Sequence, residues 1–206
     1  MINFKTVSWK NFLSTGNTST EIELDKNNTT LIVGENGAGK STILDALCFG
    51  LFGKPFRIIP KNLLVNTINA SSTEVIVTFN IGTRQWKVIR GIKPTKFQIY
   101  CDDRLVNQDA NSRDYQKYLE QTVLHLNYRS FTQVVILGSS SFVPFMQLKA
   151  RHRREVVEEI LDIKVFSLMN FILKGKIKEL SEQLKDLDYE FKLFIEKIAL
   201  QSNYID

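Results

Sequence analysis

The chain has 206 residues, 43% of them apolar and 24% charged, which suits a globular domain with an extension and excludes a wholly disordered chain. Its apolar runs fall far short of the roughly 20 residues of a membrane-spanning helix, its N-terminus lacks a secretory pattern, and two cysteines and two histidines are too few for a disulfide framework or a zinc site of ordinary spacing. The net charge of +5 is uneven: residues 151–206 carry 10 Lys/Arg against 11 Asp/Glu, so the basic excess lies on residues 1–150, where a polyanion is a natural partner and a solvated basic face is the plain alternative.

Residues 2–11 alternate loosely and predict a strand; residues 20–24 alternate cleanly and predict a second strand paired with it. A turn cluster at residues 25–28 leads into the β-branched run 29–33, which ends at Gly34 and predicts a short strand. Residues 41–52 are apolar on nearly every side and predict a buried helix, stopped at Lys54-Pro55. Residues 73–107 read as three strands with turns at Gly82 and Lys93-Pro94, an antiparallel meander. Residues 112–124 look helical, with Ser112 as cap, and residues 131–137 form another apolar β-type run leading into a Gly-Ser loop.

The C-terminal stretch has the strictest period. Leu173, Ile177, Leu180, Leu184, Leu187, Phe191, Phe194 and Ile198 recur at alternating spacings of 4 and 3, a heptad seam flanked by Lys and Glu. Such a helix wants a partner helix, or else folds back on its own globular part. With no returning helix in the sequence, a longer coiled coil cut short is the expectation.

Between the strand at 29–33 and the helix at 41–52 lies the element that carries chemistry. Gly34, Glu35, Asn36, Gly37, Ala38, Gly39, Lys40 and Ser41, followed by Thr42, match the phosphate-binding pattern G-x-x-x-x-G-K-[ST] at every fixed position, in the strand–loop–helix context that pattern requires. Glycines let backbone N–H groups turn toward phosphate oxygens, the helix N-terminus offers its positive end, Lys40 neutralises phosphate charge, and Ser41 offers a hydroxyl to Mg2+. The loop implies a nucleoside triphosphate but names no reaction. Hydrolysis also needs an acid at the end of an apolar strand. Residues 97–103 end in Asp102-Asp103, but that pair reads as the turn of the last meander hairpin, so no catalytic residue is assigned.

These features together resemble the N-terminal half of the ATPase heads of SbcC-type DNA-repair proteins, relatives of the structural-maintenance-of-chromosomes proteins and, more distantly, of ABC ATPases. The resemblance runs through Trp9-Lys10-Asn11-Phe12-Leu13-Ser14, the phosphate loop with Ile43-Leu44-Asp45-Ala46-Leu47, Phe142-Val143-Pro144-Phe145-Met146, and the segment from Arg153-Arg154-Glu155 to Ile160-Leu161. It implies an α/β P-loop NTPase fold: an ABC-type half-head with a mixed sheet and an antiparallel β meander over residues 1–165, and the root of an antiparallel coiled coil over 166–206. It implies ATP and Mg2+ as cofactors. It also implies four partners: the C-terminal half of the same head with the signature motif and Walker-B acid, a second head in a homodimer, a nuclease subunit at the coil root, and double-stranded DNA. The implied role is an ATPase subunit of a DNA double-strand-end processing nuclease complex in the cytoplasm, ATP closing the head dimer to control nuclease access; a P-loop nucleotide kinase with Arg151, Arg153 and Arg154 as a phosphate lid is the alternative. Two positions depart from the family pattern. Ser139 stands where the family has a glutamine, and Leu13 stands where it often has an arginine, leaving Asn11 and Ser14 as candidate adenosine contacts. The basic run Lys149, Arg151, His152, Arg153 and Arg154 reads either as a DNA contact or as a solvated helix start paired with Glu155, Glu158 and Glu159; Arg57, Lys61, Arg84 and Arg90 are further DNA-contact candidates.

Overall fold

Alternation along the N-terminal half dictates a sheet with one buried face. The structure, a computed structural model, describes residues 2–106, 112–136, 145–161 and 163–202. β1 (Ile2–Lys10) pairs antiparallel with β2 (Thr20–Glu23), Val7 opposite Ile22, as the sequence predicts. β3 (Thr73–Ile81), β4 (Arg84–Ile92) and β5 (Lys96–Cys101) form the expected meander, and β6 (Arg104–Leu105) closes a short hairpin on β5. Asp102 and Asp103 both take left-handed φ, 48° and 60°, which makes them the turn of that hairpin and not a strand-end acid. β1 also pairs with β3, giving one six-stranded sheet in the order β2-β1-β3-β4-β5-β6.

Val7, Val75, Val77, Phe79, Val88 and Ile99 have no exposed surface, and the register places them on one face. α1 (Lys40–Phe52) covers that face with Ala46, Phe49, Leu51 and Phe52. Fully burying side chains of this size stabilises by roughly 1.5–3 kcal/mol each, which seats α1 and the loop at its head. α1 ends at the left-handed Gly53, whose N–H bonds to Phe49 O at 2.8 Å, one residue before Lys54-Pro55.

Two predicted strands are absent. Residues 29–33 form no ladder, and Leu31 and Val33 are 85% and 81% exposed. A β-branched run becomes a strand only beside a neighbour. All pairings of the sheet are antiparallel among the described residues, so the expected mixed sheet is not seen among them. The run from Phe131 is instead in α3 (Tyr128–Val134), because Asn127 caps it, accepting from Ser130 N–H at 2.9 Å, and Phe131 packs against Phe52 and Phe4. Ser139 and Phe142 to Pro144 lie outside the described residues.

α2 (Ser112–Tyr118) runs on as a π turn over Leu119–Val123, so the predicted helix is there with a widened end. The chain divides into two compact units, Met1–Val157 and Glu158–Asp206. α4 (Ala150–Ile160) straddles the boundary. α5 (Lys164–Ser202) is one continuous helix of 39 residues, and its seam side chains stand 58–65% exposed from Leu173 to Ile198. Among the described residues no helix is long and apolar enough to cross a membrane.

Candidate nucleotide-binding site

The loop before α1 is shaped by two glycines. Gly37 and Gly39 take φ of 92° and 90°, values that a side chain resists, and Gly39 caps α1 without any side-chain acceptor for the first N–H groups. The positive end of the helix dipole there favours an anion, and of the first N–H groups that of Thr42 donates to Gly39 O at 2.9 Å. Lys40 Nζ donates to Gly34 O at 2.6 Å and Glu35 O at 2.7 Å, and Ala38 N–H donates to Glu35 O at 3.2 Å. The ammonium thus rests on neutral carbonyls of its own loop. Charged phosphate oxygens are stronger acceptors and would draw it away from them.

A cleft of about 530 Å³ opens beside the loop. Asn36, Gly37, Gly39, Lys40, Ser41 and Thr42 line part of it; Gly34, Glu35 and Ala38 shape the loop behind. Ser41, the second residue of α1, is exposed. Among the described residues no group of three or more His, Cys, Asp or Glu is placed to hold a metal ion. A hard divalent cation here would therefore draw on Ser41 Oγ, ligand oxygens and water, a set that fits Mg2+.

The other lining residues come from two segments far apart in sequence: Leu13 and Ser14 after β1, and Arg57, Ile59, Leu63, Val65 and Thr67 after α1. Arg57, predicted as a DNA contact, is instead a wall of this cleft. Its N–H, Nε and Nη2 reach the carboxylate of Asp45 at 2.9, 2.7 and 2.5 Å, and Asp45 is fully buried on α1. Burial, with Asp45 beside it, pushes the Cys48 thiol up to about 12, so that neighbour stays neutral. No local motif announces Arg57; its one sequence signal is a basic residue just past the helix stop.

Other candidates move as well. Asn11 is not an adenosine contact: it is 2% exposed, and its amide donates to Asn17 Oδ1 and Ser72 O and accepts from Asn69 Nδ2. Ser14 does line the cleft. Arg90 is no DNA contact either. Its guanidinium lies 3.8 Å over the Phe97 ring and donates to Gly50 O, Leu51 O and Gln116 Oε1, tying α1 to β4. Lys61 and Arg84 remain exposed. In the basic run, Glu155 meets Arg129 of α3 at 2.7 Å and His152 of its own helix at 3.7 Å, while Glu158 accepts from Ser167 Oγ. Arg153 donates to Met146 O and Leu148 O, so it closes the turn before α4 and is not a free lid residue.

An AAA domain family model matches residues 6–204. The chain is 36% identical over 200 residues to Exonuclease subunit 2 of Escherichia phage RB69, covering 97% of this chain and 35% of the phage protein. It is 26% identical over 186 residues to a DNA double-strand break repair Rad50 ATPase of Thermoplasma volcanium, covering 87% of this chain and 20% of the relative. Among solved structures, an Smc head domain with an extended coiled coil from Pyrococcus furiosus, bound to the C-terminal domain of ScpA, superposes with a TM-score of 0.64 at 22% identity, covering 93% of this chain and 50% of that one; this likeness is one of fold. The chain spans about a third or less of the length of the curated relatives it matches.

Proposed function

We propose that this chain, which belongs to the AAA domain family among the SbcC- and Rad50-type ATPases, is the ATP-binding half of the ATPase subunit of a DNA double-strand-end processing nuclease complex. The phosphate loop carries this reading: a complete G-x-x-x-x-G-K-S at a helix N-terminus that no side chain caps, a lysine resting on weak acceptors, and a cleft beside it. ATP sits with its phosphates along residues 34–42, Lys40 neutralising their charge and Ser41 supplying one oxygen to Mg2+. Arg57 is the cleft's second cation, held in place by Asp45. The head portion is residues 1–165 and the coil root 166–206.

The remaining machinery comes from outside these residues. A C-terminal half of the same head brings the signature motif and the acid. A second head closes over the nucleotide, and the closed state, which ATP prefers, moves the coil root and with it a nuclease subunit acting on double-stranded DNA. The nucleotide-kinase alternative is weakened by Arg153, which is spent on the backbone, and by relatives that are named ATPases and nuclease subunits.

Lys40→Ala tests the site. It should weaken Mg-ATP binding by about 100-fold or more, since a charge-assisted contact to two phosphates is lost. Titration calorimetry reads this directly, and unchanged affinity removes the assignment. ATP turnover by this chain alone should stay near background in a phosphate-release assay.

A further inference from the structure

The chain has fifteen asparagines, and one of them, Asn36, is followed by glycine. That pair stands at the corner of the phosphate loop. Ala38 N–H donates to Glu35 O at 3.2 Å and closes a turn around Asn36 and Gly37, with Gly37 at φ of 92°. Three other asparagines are tied down. Asn66 Nδ2 donates to Leu13 O and Thr15 O while its Oδ1 accepts from Ile68 N–H and Asn69 N–H, and Asn69 Nδ2 donates to Asn11 Oδ1. Asn36 and Gly37 are both exposed, and among the described residues no hydrogen bond engages the Asn36 amide or the Gly37 N–H. A Cβ placed on Gly37 would meet nothing within 4 Å, so the backbone there is open to approach.

We propose that Asn36 and Gly37 form a self-modification site in the phosphate loop, which deamidates through a cyclic imide when the loop is empty and is held off by bound nucleotide. Solvent hydroxide removes the Gly37 N–H proton, and the nitrogen attacks Asn36 Cγ. The bond from Cγ to Nδ2 breaks and ammonia leaves. The ring so formed joins Gly37 N to the C, Cα, Cβ and Cγ of Asn36. Water then opens it. Addition at Cγ gives an aspartyl residue at position 36; addition at the backbone carbonyl gives an isoaspartyl link, with the chain running through Cγ and lengthened by a methylene. The closure is favoured because glycine offers no Cβ to hinder its nitrogen and because neither reacting group has a hydrogen bond to give up. Both products add a negative charge where the triphosphate binds, and the isoaspartyl link also displaces the loop N–H groups. Nucleotide opposes the step because the loop turns its N–H groups to phosphate oxygens, which fixes the Gly37 nitrogen and engages its proton. That protection rests on the phosphate-loop reading above. The chain thus loses affinity in proportion to the time it spends without nucleotide.

Incubation of the whole chain at mildly alkaline pH, with and without Mg-ATP, tests this. Peptide mass spectrometry reads the exchange of amide for acid, isoaspartyl methyltransferase labels the isomer, and calorimetry reads Mg-ATP affinity at each time. Without nucleotide, Asn36 should convert first among the fifteen asparagines, and the converted chain should bind Mg-ATP at least about tenfold more weakly. Mg-ATP at about ten times its dissociation constant should slow the conversion about tenfold, since only the empty fraction reacts. Asn36→Gln, whose longer side chain closes a ring more slowly, should hold its starting affinity over the same period. Lys40→Ala should convert at the unprotected rate whether or not Mg-ATP is present. Equal wild-type rates with and without Mg-ATP, faster conversion at another asparagine, or full affinity in the converted chain overturns the proposal and leaves the phosphate-loop reading intact. Protection of Lys40→Ala by Mg-ATP, or a freshly prepared wild type that binds none, overturns that reading and the proposed protection with it.

Discussion

Asp45 and Arg57 show how a buried charge comes to serve an exposed site. Asp45 has no exposed surface, so its carboxylate is tolerable only because three donors of Arg57 reach it. The arginine gains a fixed position, with its outer edge left in the cleft. Arg57→Ala leaves the carboxylate only the backbone N–H of residue 57, and because Arg57 keeps 41% of its side chain in water, the expected cost is about 2 kcal/mol, below that of a fully buried pair. Urea melts measure it. Arg57→Lys should recover only part, since an ammonium cannot fork across both carboxylate oxygens. Mg-ATP affinity should fall in both variants; a drop in stability with unaltered affinity would make Arg57 purely structural. Lys40 differs in kind: its partners are exposed loop carbonyls, so Lys40→Ala should leave the melting curve nearly untouched while nucleotide binding is lost.

The seat of α1 on the sheet depends on a missing side chain. A Cβ at Gly50 would lie 2.5 Å from Val77 Cγ2 and 3.2 Å from Val75 Cγ1, both fully buried in the core. Gly50→Ala gains about 1 kcal/mol of helix propensity but overpacks by about 1–3 kcal/mol, and the net expectation is a loss near 1 kcal/mol, read by thermal or urea unfolding. On the other face Glu74 of β3 meets Lys96 of β5 at 3.0 Å and Lys10 of β1 at 3.4 Å. Burial raises the Glu74 carboxyl, but the two lysines outweigh it and leave it below its usual value. A depressed carboxylate contributes stability above its unfolded value and loses it as pH falls through the folded one. Wild type and Glu74→Gln should therefore differ by about 0.5–1 kcal/mol at pH 7 and converge below about pH 4. The strands and α1 were legible in the sequence because alternation and an all-apolar helix report burial directly. Residues 29–33 and 131–137 misled because both are β-branched runs, and tertiary context decided them: the first finds no neighbouring strand, and the second is captured by the Asn127 cap and the Phe52 contact. The phosphate loop was legible because its chemistry is contiguous. Arg57, Leu63 and Val65 were not, because their segment reaches Leu13 through hydrogen bonds between loops far apart in sequence, Leu13 N–H to Leu64 O, Asn66 N–H to Asn11 O and Asn66 Nδ2 to Leu13 O.

The unit Glu158–Asp206 poses a problem that its own residues cannot solve. A 39-residue helix is about 58 Å long, and a single helix in water gains little beyond its hydrogen bonds, so its stability must come from burying a face. Yet all eight seam side chains, from Leu173 to Ile198, are 58–65% exposed. Pairing two such seams would cover most of that surface, and each large aliphatic contributes roughly 1.5 kcal/mol or more when buried. Charge does not oppose it: α5 carries seven Lys against six Asp/Glu, interspersed along the helix. In the absence of another partner helix, the chain should therefore associate with itself through α5. Sedimentation equilibrium should show a mass rising with concentration, and the helical circular dichroism signal should rise with it. Leu180→Lys combined with Leu187→Lys places two charges in the seam. It should return the chain to monomer and melt much of α5, while the sheet unit keeps its near-ultraviolet signal and Mg-ATP affinity. A monomer with full helicity at every concentration would mean that α5 is stable without a partner, and the seam would then need another explanation.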